Sequence, residues 1–306
     1  MLTYAVRRIL GAIPTILVII AIAFFMIRLA PGGPFDGDKP LPVEIKRNLE
    51  KAYHLDEPLY MQFGRYMGNI VQGDFGPSFK LKDYSVNELI YQGFPYSLQI
   101  GLSAIVIASF FGILLGTIAA LKQNSPGDYG TMAIAMVGIT IPNFVVAPLL
   151  VFLFAVTWRL LPAGGITGGW TSFILPITAL ALPPTAYIAR LTRASMIEVL
   201  RSNFVRTARA KGLPERITIV RHTLKAGLLP VVSYLGPATA GIITGSVVIE
   251  QIFGIPGIGR YFVTAALNRD YTLVMGTVIF FAVLIILFNL LVDLLYGALD
   301  PRVRFD

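Results

Sequence analysis

YSLQIGLSAIVIASFFGILLGTIAAL, residues 96–121, decides the class of this chain. The run carries no charge, and a helix needs only about 20 apolar residues to cross roughly 30 Å of hydrocarbon. In lipid a backbone must satisfy its hydrogen bonds within a helix or a closed barrel. The run lacks the period-2 alternation of a barrel strand, so it reads as a helix. It also carries Gly112 and Gly116, small residues four apart that let another helix approach closely.

Five further uncharged stretches flank it, between Arg8 and Arg28, Asp128 and Arg159, Arg159 and Arg190, Lys225 and Glu250, and Asp270 and Asp293; the quoted run itself lies between Glu88 and Lys122. With 55% hydrophobic and 14% charged residues and a mean hydropathy of +0.71, an ordinary soluble domain is excluded. The expectation is an all-α membrane protein of six transmembrane helices with both termini on one side. Arg7, Arg8, Lys122, the basic residues from Arg190 to Lys225, and Arg302 and Arg304 then share a side, while the short connectors opposite hold only Arg159, Arg260 and Arg269. The positive-inside rule makes both termini cytoplasmic. The net charge of +8 is therefore a topology signal rather than a nucleic-acid footprint. The apolar run from Ile9 to Ile27 exceeds the roughly 7–15 residues of a signal-peptide core, so the first helix is expected to stay uncleaved.

Three parts follow: a first transmembrane helix at 1–30, an extracytoplasmic segment at 31–95, and a five-helix core at 96–306 with a cytoplasmic loop at about 194–228. The segment opens with Pro31-Gly-Gly-Pro34, which ends the first helix. An amphipathic helix is predicted from Pro42 to Tyr53, and a second along Tyr60, Phe63, Tyr66, Met67 and Ile70. Gly73-Asp-Phe-Gly-Pro77 reads as a turn, and Ser85-Val-Asn-Glu88 as a capping box. About 65 residues are marginal for an independent core, so this part should dock on the spans and on a partner, as a lid or platform.

Within the core, Pro142, Asn143 and Pro148 fall in the third span, Pro176, Pro183 and Pro184 in the fourth, and Pro230 and Pro237 in the fifth. Such prolines free backbone carbonyls and suit either a bending, wet path or simple packing kinks. Gly241 and Gly245 repeat the small-residue spacing. Glu250 and Asp293 are the ionisable residues nearest the membrane. A hydrogen bond from nearby backbone N–H groups answers for Glu250, and an inner-side arginine for Asp293.

No enzyme constellation is present. His54 and His222 fall on opposite sides, too far apart to share a metal, and there is no cysteine. No lysine follows a glycine, so there is no phosphate-binding Gly-x-x-x-x-Gly-Lys-Ser/Thr loop. Gly257-Ile-Gly259 lacks the third glycine of a dinucleotide fingerprint and reads as a turn. The chain is thus expected to bind no cofactor or metal of its own.

The connector from Arg190 to Lys225 holds nine basic residues against Glu198 and Glu215. Gly212-Leu-Pro214 divides it into two helical stretches. Topology and attraction to anionic lipid account for its charge. They do not account for Thr207, Ala208 and Ala210, small residues ahead of a glycine break, which suit a helix that nests in a groove on another protein.

Arg206-Thr-Ala-Arg-Ala-Lys-Gly212, with Leu228-Leu-Pro230 beyond it, resembles the Glu-Ala-Ala…Gly…Leu-Pro loop of ATP-binding-cassette importer permeases. Arg206 and Thr207 stand where Glu and Ala are usual. Ile27-Arg-Leu-Ala-Pro-Gly32, Tyr53-His-Leu-Asp56, Gly73-Asp-Phe-Gly-Pro-Ser-Phe79, Ile249-Glu-Gln-Ile-Phe-Gly-Ile-Pro-Gly-Ile-Gly259 and Leu299-Asp-Pro-Arg302 extend the likeness along the chain. Together they resemble the B-type permease subunits of oligopeptide importers.

That resemblance implies the type I importer permease fold in a bacterial inner membrane. It implies a C-type sister permease, an extracytoplasmic peptide-binding protein, and two ATP-binding subunits that hold the ATP and Mg. Arg206, Thr207, Ala208, Arg209, Ala210, Lys211 and Gly212 would couple to an ATP-binding subunit. Glu250, Gly254, Pro256, Gly257 and Gly259 would form an outer gate or touch the binding protein. A related substrate (dipeptide, glutathione, nickel) stays open. So does an ion-gradient-driven transporter or channel, although the ionisable residues crowd the span ends rather than the midplane.

Overall fold

The computed structural model describes residues 2–36 and 42–299. Among them the chain is helical throughout, with a single bridge between Pro77 and Ser85 in place of any strand. Four helices are long and apolar enough to cross a membrane unaided, and six segments do so if each of two sharply bent helix pairs counts as one span.

α1 (Leu2–Leu29) is apolar on all sides and ends at the Pro31 break. α2 (Val43–Ala52) and α3 (Leu59–Val71) follow, within two residues of the helices expected. Phe63 of α3 stacks on Phe25 of α1 with ring centroids 5.5 Å apart, so the segment rests on the first span through aromatic faces. Lys46 of α2 donates to Asp36 at 2.6 Å and holds that carboxyl below its ordinary range, helped by the Gly33 N–H.

α4 (Val86–Leu121) starts at the capping box: Glu88 N donates to Ser85 Oγ at 3.2 Å and Ser85 N to Glu88 Oε2 at 2.9 Å. That cap sets the helix start ten residues ahead of Tyr96, so the boundary expected at 95/96 falls inside α4, with Pro95 within the helix. At 1.5 Å per residue α4 is about 54 Å long and outreaches the hydrocarbon. Its Gly112 and Gly116 seat it on α7 (Ile174–Leu200) once the intervening α5 (Pro126–Thr140) and α6 (Asn143–Leu150) are passed. A Cβ on Gly112 would stand 2.7 Å from Ile188 Cβ, and one on Gly116 2.4 Å from the Ala189 carbonyl. Gly241 does not repeat this contact: its face opens on space.

The third span is not a kinked rod. α5 and the α6 segment, which unwinds into wider π-type turns to Thr157, meet at 102°. Pro142 has no N–H to give and drives Ile141 to extended geometry (φ −99°, ψ 120°), so the sequence supplies a stop rather than a kink. α7 begins fifteen residues beyond Arg159 and runs past Arg190 to Leu200. Its inward stripe simply continues through buried Thr192 and Met196. The connector that follows α7 is correspondingly shorter than its basic residues suggested.

α8 (Asn203–Ala210), α9 (Glu215–Ile217), a wide turn at Thr218–Thr223, and α10 (Leu224–Gly227) lead into α11 (Leu229–Gly245), which departs at 51°. α12 (Val247–Phe253), α13 (Ile258–Asn268) and α14 (Tyr271–Leu299) complete the bundle. Its main core, with Ile100, Ala104, Ala108, Ile188, Val231 and Phe253, lies where α4, α7, α11 and α12 meet. The Asp293 side chain and the arginines at 302 and 304 lie outside what is described, and with them the ion pair expected there.

Candidate functional site

α8 stands at the end of α4 opposite the 31–85 segment, joined to that end by a hydrogen bond from Arg201 to Gln123 at 3.2 Å. Its stop is a Schellman motif. Gly212 sits at φ +76°, its N–H donates to Arg209 O at 2.9 Å, and Leu213 N donates to Ala208 O at 3.3 Å. A left-handed residue closes the last carbonyls, and glycine reaches that conformation without a Cβ clash. Arg209 then grips Glu215 across the turn with Nη2 at 2.6 Å and Nε at 3.1 Å. That bond raises the pKa of Arg209 above its ordinary value. Val205 is fully buried, so the helix is anchored on one side.

The other side is free: Arg206, Thr207, Arg209, Ala210, Lys211 and Gly212 are exposed, with Phe204 half-exposed beside them. Ala208, expected to couple to an ATP-binding subunit with its neighbours, is instead only 7% exposed and shares the buried stripe with Val205. The 3.6-residue period puts positions 205 and 208 on the anchored stripe. α8 is thus a short cationic rod held by one stripe, with a rigid stop at its end.

Beneath it lies a joint that sequence reasoning missed. Arg193 of α7 grips Asp128 at the start of α5, Nε to Oδ1 and Nη2 to Oδ2, each 2.6 Å. Asp128 also accepts from Asn124 N at 2.9 Å and is fully buried. The two residues are 65 apart in sequence, and Arg193 reads as one more topology charge. Nothing local announces the pair. A planar, bidentate ion pair, its carboxylate buried and its guanidinium partly exposed, ties α5 to α7 within three turns of α8.

At the opposite end, Glu250 is fully buried. Its carboxylate accepts from Ser97 Oγ at 2.7 Å, from Ser246 Oγ, and from Arg260 N at 3.1 Å. It lies under the N-terminus of α13, where a negative charge is favoured and the third backbone N–H needs a partner. Neither Gly257 nor Gly259 has room for a Cβ: at 257 it would meet Glu250 Oε2, and at 259 first Val247 Cα, 2.6 Å away, and then Glu250 Oε2 at 2.9 Å. Glu250, Gly257 and Gly259, expected at an outer gate or a binding-protein contact, are therefore buried against one another rather than at the surface of this chain. Gly254, left-handed at φ +63°, and Pro256 are partly exposed on the turn.

Asp270 does a similar task beside them, capping α14 through Leu273 N at 3.2 Å and accepting from Ser78 Oγ and from Phe79 N at 3.1 Å. It ties the Gly73–Ser85 loop to the last span. Among the described residues no three His, Cys, Asp or Glu side chains gather as a metal would require.

Comparison with known proteins places these features. Residues 112–305 match the family described as "Binding-protein-dependent transport system inner membrane component", and residues 1–101 its N-terminal counterpart. The chain is 56% identical to "Oligopeptide transport system permease protein OppB" of Escherichia coli K12 over 306 residues, all of both chains. It is 51% identical to the Haemophilus influenzae protein of the same name, again over the full length of both. "Dipeptide transport system permease protein DppB" of Bacillus subtilis is 47% identical, covering 99% of this chain and 98% of that one. Among solved structures, the MetNI methionine ABC transporter, inward facing, superposes with a TM-score of 0.55 at 16% identity, over 69% of this chain and 96% of that one. An amino acid ABC transporter crystallised with histidines gives 0.52 at 17% identity, over 71% and 95%. At those identities the structures carry the fold alone.

Proposed function

The chain belongs to the binding-protein-dependent transport system inner membrane components, and from that premise we propose that it forms half of the path of an ATP-driven importer of oligopeptides. It is an integral inner-membrane permease. In this reading each bent pair is one span, which makes six, both termini are cytoplasmic, and the 31–85 segment lies outside. A sister permease supplies the other half of the path. Two ATP-binding subunits sit below with their ATP and Mg, and a peptide-binding protein delivers substrate from outside. The permease carries no phosphate-binding loop of its own and acts by changing shape.

The observation that carries this is α8, an exposed cationic helix with a left-handed glycine stop, anchored through Val205 and backed by the Asp128–Arg193 pair. A motor that pushes on such a rod moves α7 and α5 together, because Arg193 and Asp128 join the two helices. Two discrete arrangements of the bundle then alternate access to the path. Gly212→Pro tests it. Proline can neither adopt φ +76° nor donate the N–H that closes α8. Uptake of a labelled oligopeptide should fall to background in proteoliposomes holding the whole complex, with membrane insertion unchanged. Normal ATP-driven uptake by that variant would contradict it. The relatives include a dipeptide permease, so competition by peptides of graded length reads out the preferred substrate.

A further inference from the structure

Midway along the bundle, α7, α11 and the α5–α6 break enclose a cleft of about 360 Å³, lined by Asn143, Pro183, Tyr187, Tyr234, Ala238 and Gly241 among others. It lies on the side of α7 turned away from α4. Ile188 and Ala189 are buried towards α4, whereas Tyr187 is 49% exposed. Its ring stacks on that of Tyr234, with centroids 4.7 Å apart and planes 19° from parallel. The Arg190 guanidinium lies 5.9 Å from the centroid of the Tyr187 ring and steadies it.

Three features make this an unusual wall for a membrane helix. Asn143 Oδ1 is buried and has no hydrogen-bond partner, and an amide left unpaired in an apolar bundle costs free energy until something supplies a donor. The Tyr187–Tyr234 stack bridges α7 and α11, and its Tyr187 side stays half open to the cleft. Gly241, on the third side, leaves space where a side chain would intrude. A flat occupant that carries hydrogen-bond donors and needs no charge partner suits such a wall. An acyl chain offers no donor. A metal ion finds no carboxylate or imidazole among the lining residues. A peptide backbone has planar faces, one N–H donor per residue, and no net charge in its interior.

Resting on the permease reading above, we propose that this cleft is a peptide-backbone subsite on the translocation path. Asn143 accepts an N–H from the passing peptide, and the Tyr187–Tyr234 pair lies against its amide planes. Recognition through groups that every peptide shares makes the subsite indifferent to side chains, since any amide presents the same face and the same donor.

The test uses the complete complex with its binding protein in proteoliposomes. A labelled oligopeptide bearing a benzophenone is irradiated during turnover, and its attachment is mapped by mass spectrometry. Uptake is measured in parallel for Asn143→Leu and Tyr234→Leu. The expected result is attachment within α11 or at the α5–α6 break. Each variant should lower uptake about tenfold, the scale of one lost hydrogen bond or stacking contact. The loss should be equal for peptides of different sequence, with ATP hydrolysis still stimulated by the loaded binding protein. Attachment only elsewhere in a complex that imports peptide, or undiminished uptake by both variants, overturns the subsite and leaves the permease reading standing. A wild-type complex that imports no peptide at all overturns the permease reading itself, and the subsite with it.

Discussion

At the scale of single residues, buried carboxylates hold the ends of the molecule, Glu250 and Asp270 at one and Asp128 at the other. Removing the Glu250 carboxylate would leave the Ser97 hydroxyl and the Arg260 N–H without their acceptor, while Ser246 could still donate to the Ile243 carbonyl. Glu250→Ala should therefore destabilise the folded chain by about 3 kcal/mol, read as a lowered melting temperature of the detergent-solubilised complex; an unchanged melt would remove Glu250 from this role. At the other end, Arg193→Met leaves the Asp128 carboxylate without its cation. A cost of about 1–2 kcal/mol is expected, moderated because the Arg193 side chain reaches solvent, whereas Arg193→Met combined with Asp128→Leu should recover most of it. Failure of the double substitution to recover would argue against the pair. The sequence singled out Glu250 and its glycines but not their relation. A lone acid before a glycine-rich turn looks like an accessible site, and only the fold reveals that the glycines leave room for the carboxylate.

At the scale of elements, caps and breaks were the legible features. Ser85 and Glu88 announce the start of α4 by their spacing, and Gly212 the end of α8, because those signals depend on neighbours in the chain. The Gly112 and Gly116 seat was legible as a spacing and is used, while the same spacing at Gly241 meets no helix of this chain. Gly116→Val should push α4 from α7 and cost about 1–3 kcal/mol through overpacking, seen as lowered thermal stability. Gly241→Ala, facing open space, should leave that stability unchanged. Equal effects at the two positions would contradict the packing described. What the sequence hid was where helices run on. α7 passes ten residues beyond Arg190 because its buried stripe persists, and charge alone marks a membrane boundary rather than a helix end. The 102° break at Pro142 is not legible as such, because proline within an apolar run serves a bend, a wet path or a packing kink equally.

At the scale of the whole molecule, a long helix, α4, carries two working ends. Towards the 31–85 segment, Asp270 and Glu250 lock loops and short helices into a fixed cap. Towards α8, an exposed basic rod is tied through Arg193 and Asp128 to the helices that wall the mid-membrane cleft. Class and family were plain from hydropathy and from motifs spread along the chain. The site was half legible: α8 and its exposed face followed from composition and a glycine, whereas Ala208's inward turn and the Asp128 joint required three dimensions. The central claim is that a nucleotide-driven partner grips α8. This chain has no cysteine, so Thr207→Cys introduces a unique attachment point for a photoreactive maleimide on the exposed face. In the assembled complex the account predicts an adduct between position 207 and an ATP-binding subunit, with peptide uptake abolished once it forms. An adduct with lipid alone, with ATP-driven uptake continuing unimpaired, would contradict it.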